Sequence, residues 1–243
     1  MRVEGPEEEE GTEEPAQEEE EPVRPPVLAL PGPEHAGLGA GLALGSVGRT
    51  VRLEPQASRE GTGHALWDGA VEAARYVEGR RDALRARLLE RPNADKGLEL
   101  GSGTGLAGIA TALLLGVEME LTDLDAVVPA LRRNVALNGP CPCSVGPLDW
   151  RDAMHQRRRD CGLVLAADCV WLPELVEPFV LTLAAVAPPG ALVLLAYQER
   201  STRVSDRLFT QLAPHFERLA VASRELPRSG KSIEIYEFVR RPD

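Results

Sequence analysis

From residue 96 onward the chain alternates short apolar runs with stretches in which hydrophobic residues recur every three to four positions. The runs predict strands at about 96–100, 117–122, 143–147, 162–167 and 190–196, and the helical spacing predicts helices at about 105–115, 126–138, 173–186 and 201–213. Runs such as Leu163-Val164-Leu165-Ala166 are apolar at consecutive positions. Both faces of such a strand are buried, as in a parallel sheet covered by helices on each side. Upstream, Leu66, Ala70, Ala73, Ala74 and Val77 predict one helix, and Arg80 to Leu89 a second that ends before Pro92. Earlier still, Leu42 to Val47 and Thr50 to Glu54 read as a hairpin turning at Gly48. At the other end, Arg218 to Ser223 and Ser232 to Val239 read as an antiparallel edge hairpin. The fold class is α/β, doubly wound, with a mostly parallel sheet and no internal repeat.

Composition changes this picture mainly at the N-terminus. The net charge is −11, but residues 1 to 26 carry eleven Glu against Arg2 and Arg24, which leaves the rest of the chain near −2. Acidic blocks punctuated by proline bury too little apolar surface to order themselves, so 1–26 is expected to be a disordered acidic tail. Residues 27–94 then form an N-terminal extension of hairpin and helices, and 95–243 the main domain. No apolar run reaches the roughly 20 residues of a membrane span, and the acidic N-terminus is unlike a signal peptide. Cys141, Cys143, Cys161 and Cys169 match neither a zinc site nor a secreted disulfide framework. Reduced thiols in a cytoplasmic protein, also present in the nucleus, with no metal, are the simplest expectation. A near-neutral body with an acidic tail argues against a nucleic-acid partner.

In an open parallel sheet, ligands bind beyond the carboxyl ends of the strands. After the first predicted parallel strand stands Glu99-Leu100-Gly101-Ser102-Gly103-Thr104-Gly105, opening a helix. Glycines there let a cofactor lie against the main chain at a helix N-terminus, whose free N–H groups favour an anion. Gly103, Gly105 and Gly108 also satisfy GxGxxG, and Asp123 lies 20 residues beyond Gly103, so NAD stays open on spacing alone. S-adenosylmethionine is favoured by Glu99, a carboxylate available to a cationic amino group, and by the lack of a segment that reads as a second domain for a hydride acceptor. Other roles are open to individual residues. Trp67 could be core, Asp123 and Asp168 could cap the helices that follow them, Cys169 could be packing, and Arg157 to Arg159 a solvated face. His35 and His64 stand alone in the sequence.

Six blocks in order, ALWDGA at 65–70, LELGSGTGLAGI at 98–109, LTDLD at 121–125, LDW at 148–150, LAADCVW at 165–171 and LLAYQER at 194–200, resemble the seven-β-strand protein lysine methyltransferases of the methyltransferase-like 21 group (family 16). The resemblance covers residues 49 to 240 and implies a Rossmann-like, seven-stranded class I methyltransferase fold. It also implies an S-adenosyl-L-methionine-dependent protein-lysine N-methyltransferase, monomeric, acting on a protein such as an AAA ATPase or chaperone. Carried over residue by residue, Glu99, Gly101, Gly103 and Gly105 form the cofactor loop, Asp123 holds the ribose hydroxyls and Trp150 lies beside the adenine. Trp67 closes the methionine end, and the backbone at Ala166 and Ala167 lines the floor. The family's substrate-facing motif is DxxY or DxxF, and here it reads Asp168-Cys169-Val170-Trp171. Asp168 would orient the lysine ammonium, and Trp171 would wall its channel with a π face but no phenol. A NAD-dependent oxidoreductase, a nucleic-acid methyltransferase and a non-catalytic binding module remain the alternatives.

Overall fold

The computed structural model describes residues 1, 27–29, 41–54, 64–152, 159–226 and 231–242. The acidic tail and His35 therefore lie outside the described residues, as do Arg157 and Arg158. Among the described residues the expected alternation is present as β4 (Lys96–Leu100), α3 (Leu106–Leu115), β5 (Glu118–Asp123), α4 (Val128–Leu137), β6 (Cys143–Pro147), β7 (Leu163–Ala167), α5 (Pro173–Val186), β8 (Leu192–Tyr197) and α6 (Thr202–Leu212). Two strands, β9 (Phe216–Glu225) and β10 (Ser232–Arg240), complete the C-terminal part. Upstream stand β1 (Val27–Ala29), the hairpin β2 (Gly41–Leu44) and β3 (Arg49–Arg52), and helices α1 (Asp68–Gly79) and α2 (Arg81–Leu89).

The sheet order is β1-β9-β10-β8-β7-β4-β5-β6. From β4 the chain winds outward through β5 to β6, then returns to β7 on the other side of β4. The order reverses between β4 and β7, so the loops after these two strands border the crevice where such sheets take ligands. Strands β7 and β8 are buried almost throughout, matching their unbroken apolar runs. One face is packed by α1, α2, α3 and the β2–β3 hairpin, and the other by α5 and α6.

The C-terminal hairpin is antiparallel and stands on the flank of the parallel sheet as expected, with one further strand beyond it. Strand β10 lies inside the sheet, pairing with β8 on one side and β9 on the other, and β9 is itself covered by β1 in parallel register, Val27 opposite Val221. The edge is thus β1, a three-residue strand hidden in the sequence between Pro25-Pro26 and Pro31, too short to show an alternation. Asn134 in α4 and Asn138 at its C-terminal cap, one turn apart, fix the other hairpin. Asn138 accepts from Arg52 N–H at 2.7 Å and donates to Arg52 C=O at 2.7 Å, while Asn134 accepts from Glu54 N–H at 2.8 Å. Two amide side chains thereby satisfy the outer backbone of β3 as another strand would.

Several carboxylates are enclosed. Glu237 accepts hydrogen bonds from Tyr76 and Arg87, and Glu72 pairs with Arg224 at 3.0 Å, tying α1 and α2 to the C-terminal hairpin. Glu99, in β4, is 1% exposed. Burial pushes its pKa up to about 8 and the neighbouring Asp123 charge adds to this, while Ser102 and the Gly108 N–H oppose it. A carboxyl whose pKa is raised on folding stabilises the protein fully below its unfolded value near 4.5, and that contribution is lost as pH rises toward 8. Each tenfold change in proton affinity is worth about 1.4 kcal/mol, so Glu99→Gln is expected to gain a few kcal/mol over wild type between pH 5 and pH 8. Urea denaturation at both values measures the difference. A wild type that instead gained on the variant as pH rose would show that Glu99 is a stabilised anion.

Candidate active site

Beyond the carboxyl ends of β4, β5 and β7 lies a cavity of about 300 Å³, within the range of small-molecule sites. Its walls include Gly101, Gly103, Asp123, Leu148, Trp150, Ala167, Asp168, Cys169, Trp171 and Trp67. Of the eleven site residues that the family resemblance implies, all but Glu99, Gly105 and Ala166 thus border one space. The glycine loop is built by positive φ at Gly101 (64°), Gly103 (53°) and Gly105 (81°). A Cβ at Gly101 would stand 2.9 Å from the Cys169 Cβ and 3.2 Å from Trp150 Cζ2, so loop and opposite wall meet only because that position is glycine.

Asp123 shapes the loop from the end of β5. Its Oδ2 accepts from Gly103 N–H and its Oδ1 from Leu124 N–H, both at 2.7 Å. Burial raises its pKa, against the pull of these two N–H groups and of His64, which is brought near it despite standing alone in the sequence. No side chain caps α4, so the helix-cap role open to Asp123 is removed. Trp150 packs edge-on against Phe179 at 5.2 Å between centroids.

Three expected contacts are placed differently. Glu99 lies behind the loop, where a Cβ on Gly108 would come 2.3 Å from its Oε2, and it does not line the cavity. The reason is the strand's two-residue period, which turns Glu99 toward α3. Gly105 is not on the wall either. It sits at the N-cap of α3, where a Cβ would strike Leu131 Cδ1 at 2.5 Å, so its glycine serves helix packing. Ala166 is fully buried within β7, one residue short of the strand end, and Ala167 alone of the pair reaches the cavity. Gly108 completes GxGxxG for an architectural reason, because a Cβ there would also meet Leu121 Cδ2 at 2.2 Å.

Asp168 follows β7 in the left-handed region at φ 53°, a conformation that Asp tolerates better than most residues. Its N–H donates to Ala196 C=O at 2.8 Å, and its side chain is 3% exposed. Arg200 Nη2 donates to Asp168 Oδ2 at 2.6 Å. The Arg200 guanidinium also lies over Trp67, 5.0 Å from the ring centre, close enough for a cation–π contact. Burial raises the Asp168 pKa and the nearby Asp68 charge adds to that, while Arg200 and the Gln198 N–H hold it down. The cap of α5 shows no side-chain hydrogen bond, so Asp168 is not its cap. Trp67 and Trp171 are each 36% exposed at the cavity, and Trp67 stands at the N-cap of α1 instead of in the core.

The sequence reading missed Arg200 and Gly69 as site residues. Arg200 closes the LLAYQER block just past β8, where the rule of reading strand ends would have found it. Gly69 left no such signal. A Cβ there would come 2.5 Å from the Asp168 Cβ, so a glycine is what lets the start of α1 close over the end of β7.

The walls fit a nucleoside sulfonium. Gly101 and Gly103 leave the main chain open, Asp123 offers a carboxylate, and Trp150 a flat apolar ring. Residues 48–215 match the family profile described as lysine methyltransferase. EEF1A lysine methyltransferase 3 of Mus musculus is 30% identical over 170 residues, 69% of each chain, and protein N-lysine methyltransferase METTL21A of Danio rerio is 30% identical over 171 residues, 68% of this chain and 74% of that one. Among solved structures, one titled as a putative RNA methyltransferase from Pyrococcus horikoshii superposes with a TM-score of 0.55 at 15% identity, over 78% of this chain and 93% of that one, a likeness of fold alone. With the glycine loop, the strand-end aspartates and the family match in agreement, the chain belongs to the lysine methyltransferase family, enzymes that methylate protein lysines with S-adenosylmethionine.

Proposed function

We propose that Asp123 holds the ribose hydroxyls and Trp150 the adenine, that Ala167 lines the floor, and that the acceptor lysine enters between Trp67 and Trp171 to meet Asp168. The observation that carries this reading is a buried carboxylate flanked by two half-exposed indoles at one end of the cavity. S-adenosylmethionine, when bound, supplies a methyl group on a positively charged sulfur. The chain's own residues must therefore gather a cationic side chain, align its nitrogen and let it lose a proton. Two π faces and a carboxylate serve the first two needs. Exclusion of water between the indoles serves the third, since a lysine amine with an ordinary pKa near 10.4 is less readily charged when desolvated. Trp171 supplies the aromatic face of the family's DxxY motif without its hydroxyl.

The acceptor class we favour is a lysine on a folded partner of the AAA ATPase or chaperone kind, which the resemblance at Ala167-Asp168-Cys169 and Tyr197-Gln198-Glu199-Arg200 supports, with the enzyme acting as a monomer in cytoplasm and nucleus. EEF1A, named for the Mus musculus relative, is the other candidate. Incubation with tritiated S-adenosylmethionine and matched cell extract, followed by mass spectrometry of labelled bands, tests the class. Label on nucleic acid instead of protein would overturn it.

Asp123→Ala is expected to weaken S-adenosylmethionine binding about 10- to 150-fold, the loss of one or two charge-assisted hydrogen bonds. An unchanged dissociation constant by calorimetry would confine Asp123 to clamping the loop. Asp168→Ala should leave cofactor affinity within a few-fold of wild type and lower methyl transfer by about two orders of magnitude. Trp171→Ala should lower turnover as well, and Trp171→Tyr should keep it. Arg200→Ala removes the cation that holds the Asp168 pKa down, so the acid limb of the pH–rate profile should move to higher pH. A limb that stayed in place while turnover fell would show that Arg200 acts only through Trp67.

A further inference from the structure

At the opposite end of the strands from the active site, two thiols are held in contact. Cys141 and Cys143 have their Sγ atoms 3.0 Å apart, and both residues are half-buried, not enclosed. The backbone explains the approach. Cys143 N–H donates to Cys141 C=O at 2.8 Å across Pro142, a hydrogen bond between residues i and i+2. That is the closure of a γ-turn, and proline fixes φ near the value its common form requires. The turn draws the two α-carbons together and turns both side chains to one side, where an extended i, i+2 pair would hold them farther apart.

The surroundings keep this geometry. Met119 N–H donates to Pro142 C=O at 2.8 Å, anchoring the turn to β5, and Cys143 is the first residue of β6. Arg49 Nη2 donates to Asn138 C=O at 3.2 Å and to Pro140 C=O at 3.5 Å, holding the approach to the turn from the β2–β3 hairpin. The thiols open onto a second concavity, of about 490 Å³, which Lys96, Arg159 and Cys161 also line. None of these residues belongs to the methyl-transfer site.

We propose that Cys141 and Cys143 form a dithiol redox site that closes to a disulfide in response to hydroperoxides. Cys141 is the attacking thiol. The hydrogen bond between the two sulfurs and the nearby Arg49 lower the pKa of Cys141 against the effect of burial, while the same hydrogen bond and burial push Cys143 up. In the first step Cys141 gives up its proton and the thiolate attacks one peroxide oxygen; the O–O bond breaks, and the departing hydroxide takes up that proton and leaves as water, giving a sulfenic acid. In the second the Cys143 sulfur attacks the Cys141 sulfur, the S–O bond breaks and a second water leaves. Two thiols and one hydrogen peroxide thus become one disulfide and two waters. A small ring closed over one intervening residue is strained, which makes it readily reducible again.

The test uses the full chain treated with hydrogen peroxide, denatured, blocked with N-ethylmaleimide and digested with trypsin. Cleavage after Arg133 and Arg151 releases residues 134–151, which contain Cys141 and Cys143 and no other cysteine. This peptide should pass from doubly alkylated to unalkylated and two hydrogens lighter, and dithiothreitol should restore it, while Cys161 and Cys169 stay alkylated. In Cys143→Ser, dimedone should trap a sulfenic acid at residue 141. Cys161→Ser should behave as wild type. A peptide that stays doubly alkylated at peroxide levels sufficient to oxidise free cysteine, or one in which residue 141 ends as sulfinic acid with Cys143 alkylated, would overturn the proposal.

Discussion

Three neighbouring parallel strands bring a carboxylate to the same end of the sheet, and the site depends on how those charges are kept from repelling one another. Glu99 lies in β4, Asp123 ends β5 and Asp168 follows β7. All three are enclosed enough for burial to raise their pKa values. Three ionised carboxylates crowded at low dielectric would be strongly unfavourable. The structure treats each differently. Glu99 is pushed up to about 8, and so carries its proton at neutral pH. Two backbone N–H groups at Asp123 and the Arg200 guanidinium at Asp168 oppose the upward push of burial on those two carboxyls. One acid pushed toward its neutral form, one held by the main chain and one held by a guanidinium can share a strand end.

The topology makes this arrangement. Reversal of strand order between β4 and β7 opens the crevice, and the long return from β6 to β7 brings Trp150 to its far wall. The N-terminal extension then closes the near side. With glycine at position 69 the first turn of α1 can lie against Asp168, which sets Trp67 over Arg200. The buried carboxylates of Glu72 and Glu237, paired with Arg224 and Arg87, fix the same helices to the C-terminal hairpin, so residues far apart in sequence position one indole.

The parallel strands were legible because burial on both faces writes itself into the sequence as unbroken apolar runs, and the glycine loop because its φ values leave few other residues acceptable. What escaped the sequence depends on contacts between distant segments. Strand β1 gains its identity from β9, Gly69 from Asp168, and Arg200 from Trp67 and Asp168, and no local period records any of these. Glu99 was recognised as special but assigned to the cavity wall. The alternation of β4 turns it instead under α3, where it packs against Ser102 and Gly108. The cavity side of the loop is formed by main chain, which a pattern of side chains describes poorly.

The Arg200–Asp168 pair bears directly on how a lysine could react there. An uncompensated buried carboxylate beside an ammonium raises the pKa of the amine, because each charge favours the other. Such a site would capture lysine well and hold it in the protonated form, which has no lone pair for methyl transfer. Arg200 already satisfies one oxygen of Asp168, so the charge that an arriving ammonium meets is partly cancelled. In the proposed site, what remains would orient the nitrogen by a hydrogen bond, while the indoles of Trp67 and Trp171 would supply contact that depends less on a full positive charge. If the acceptor meets Asp168 as proposed, the internal cation weakens capture and eases proton release together. On this reading Arg200 sets the balance between binding the acceptor and making it nucleophilic, and the two requirements meet at a single carboxylate.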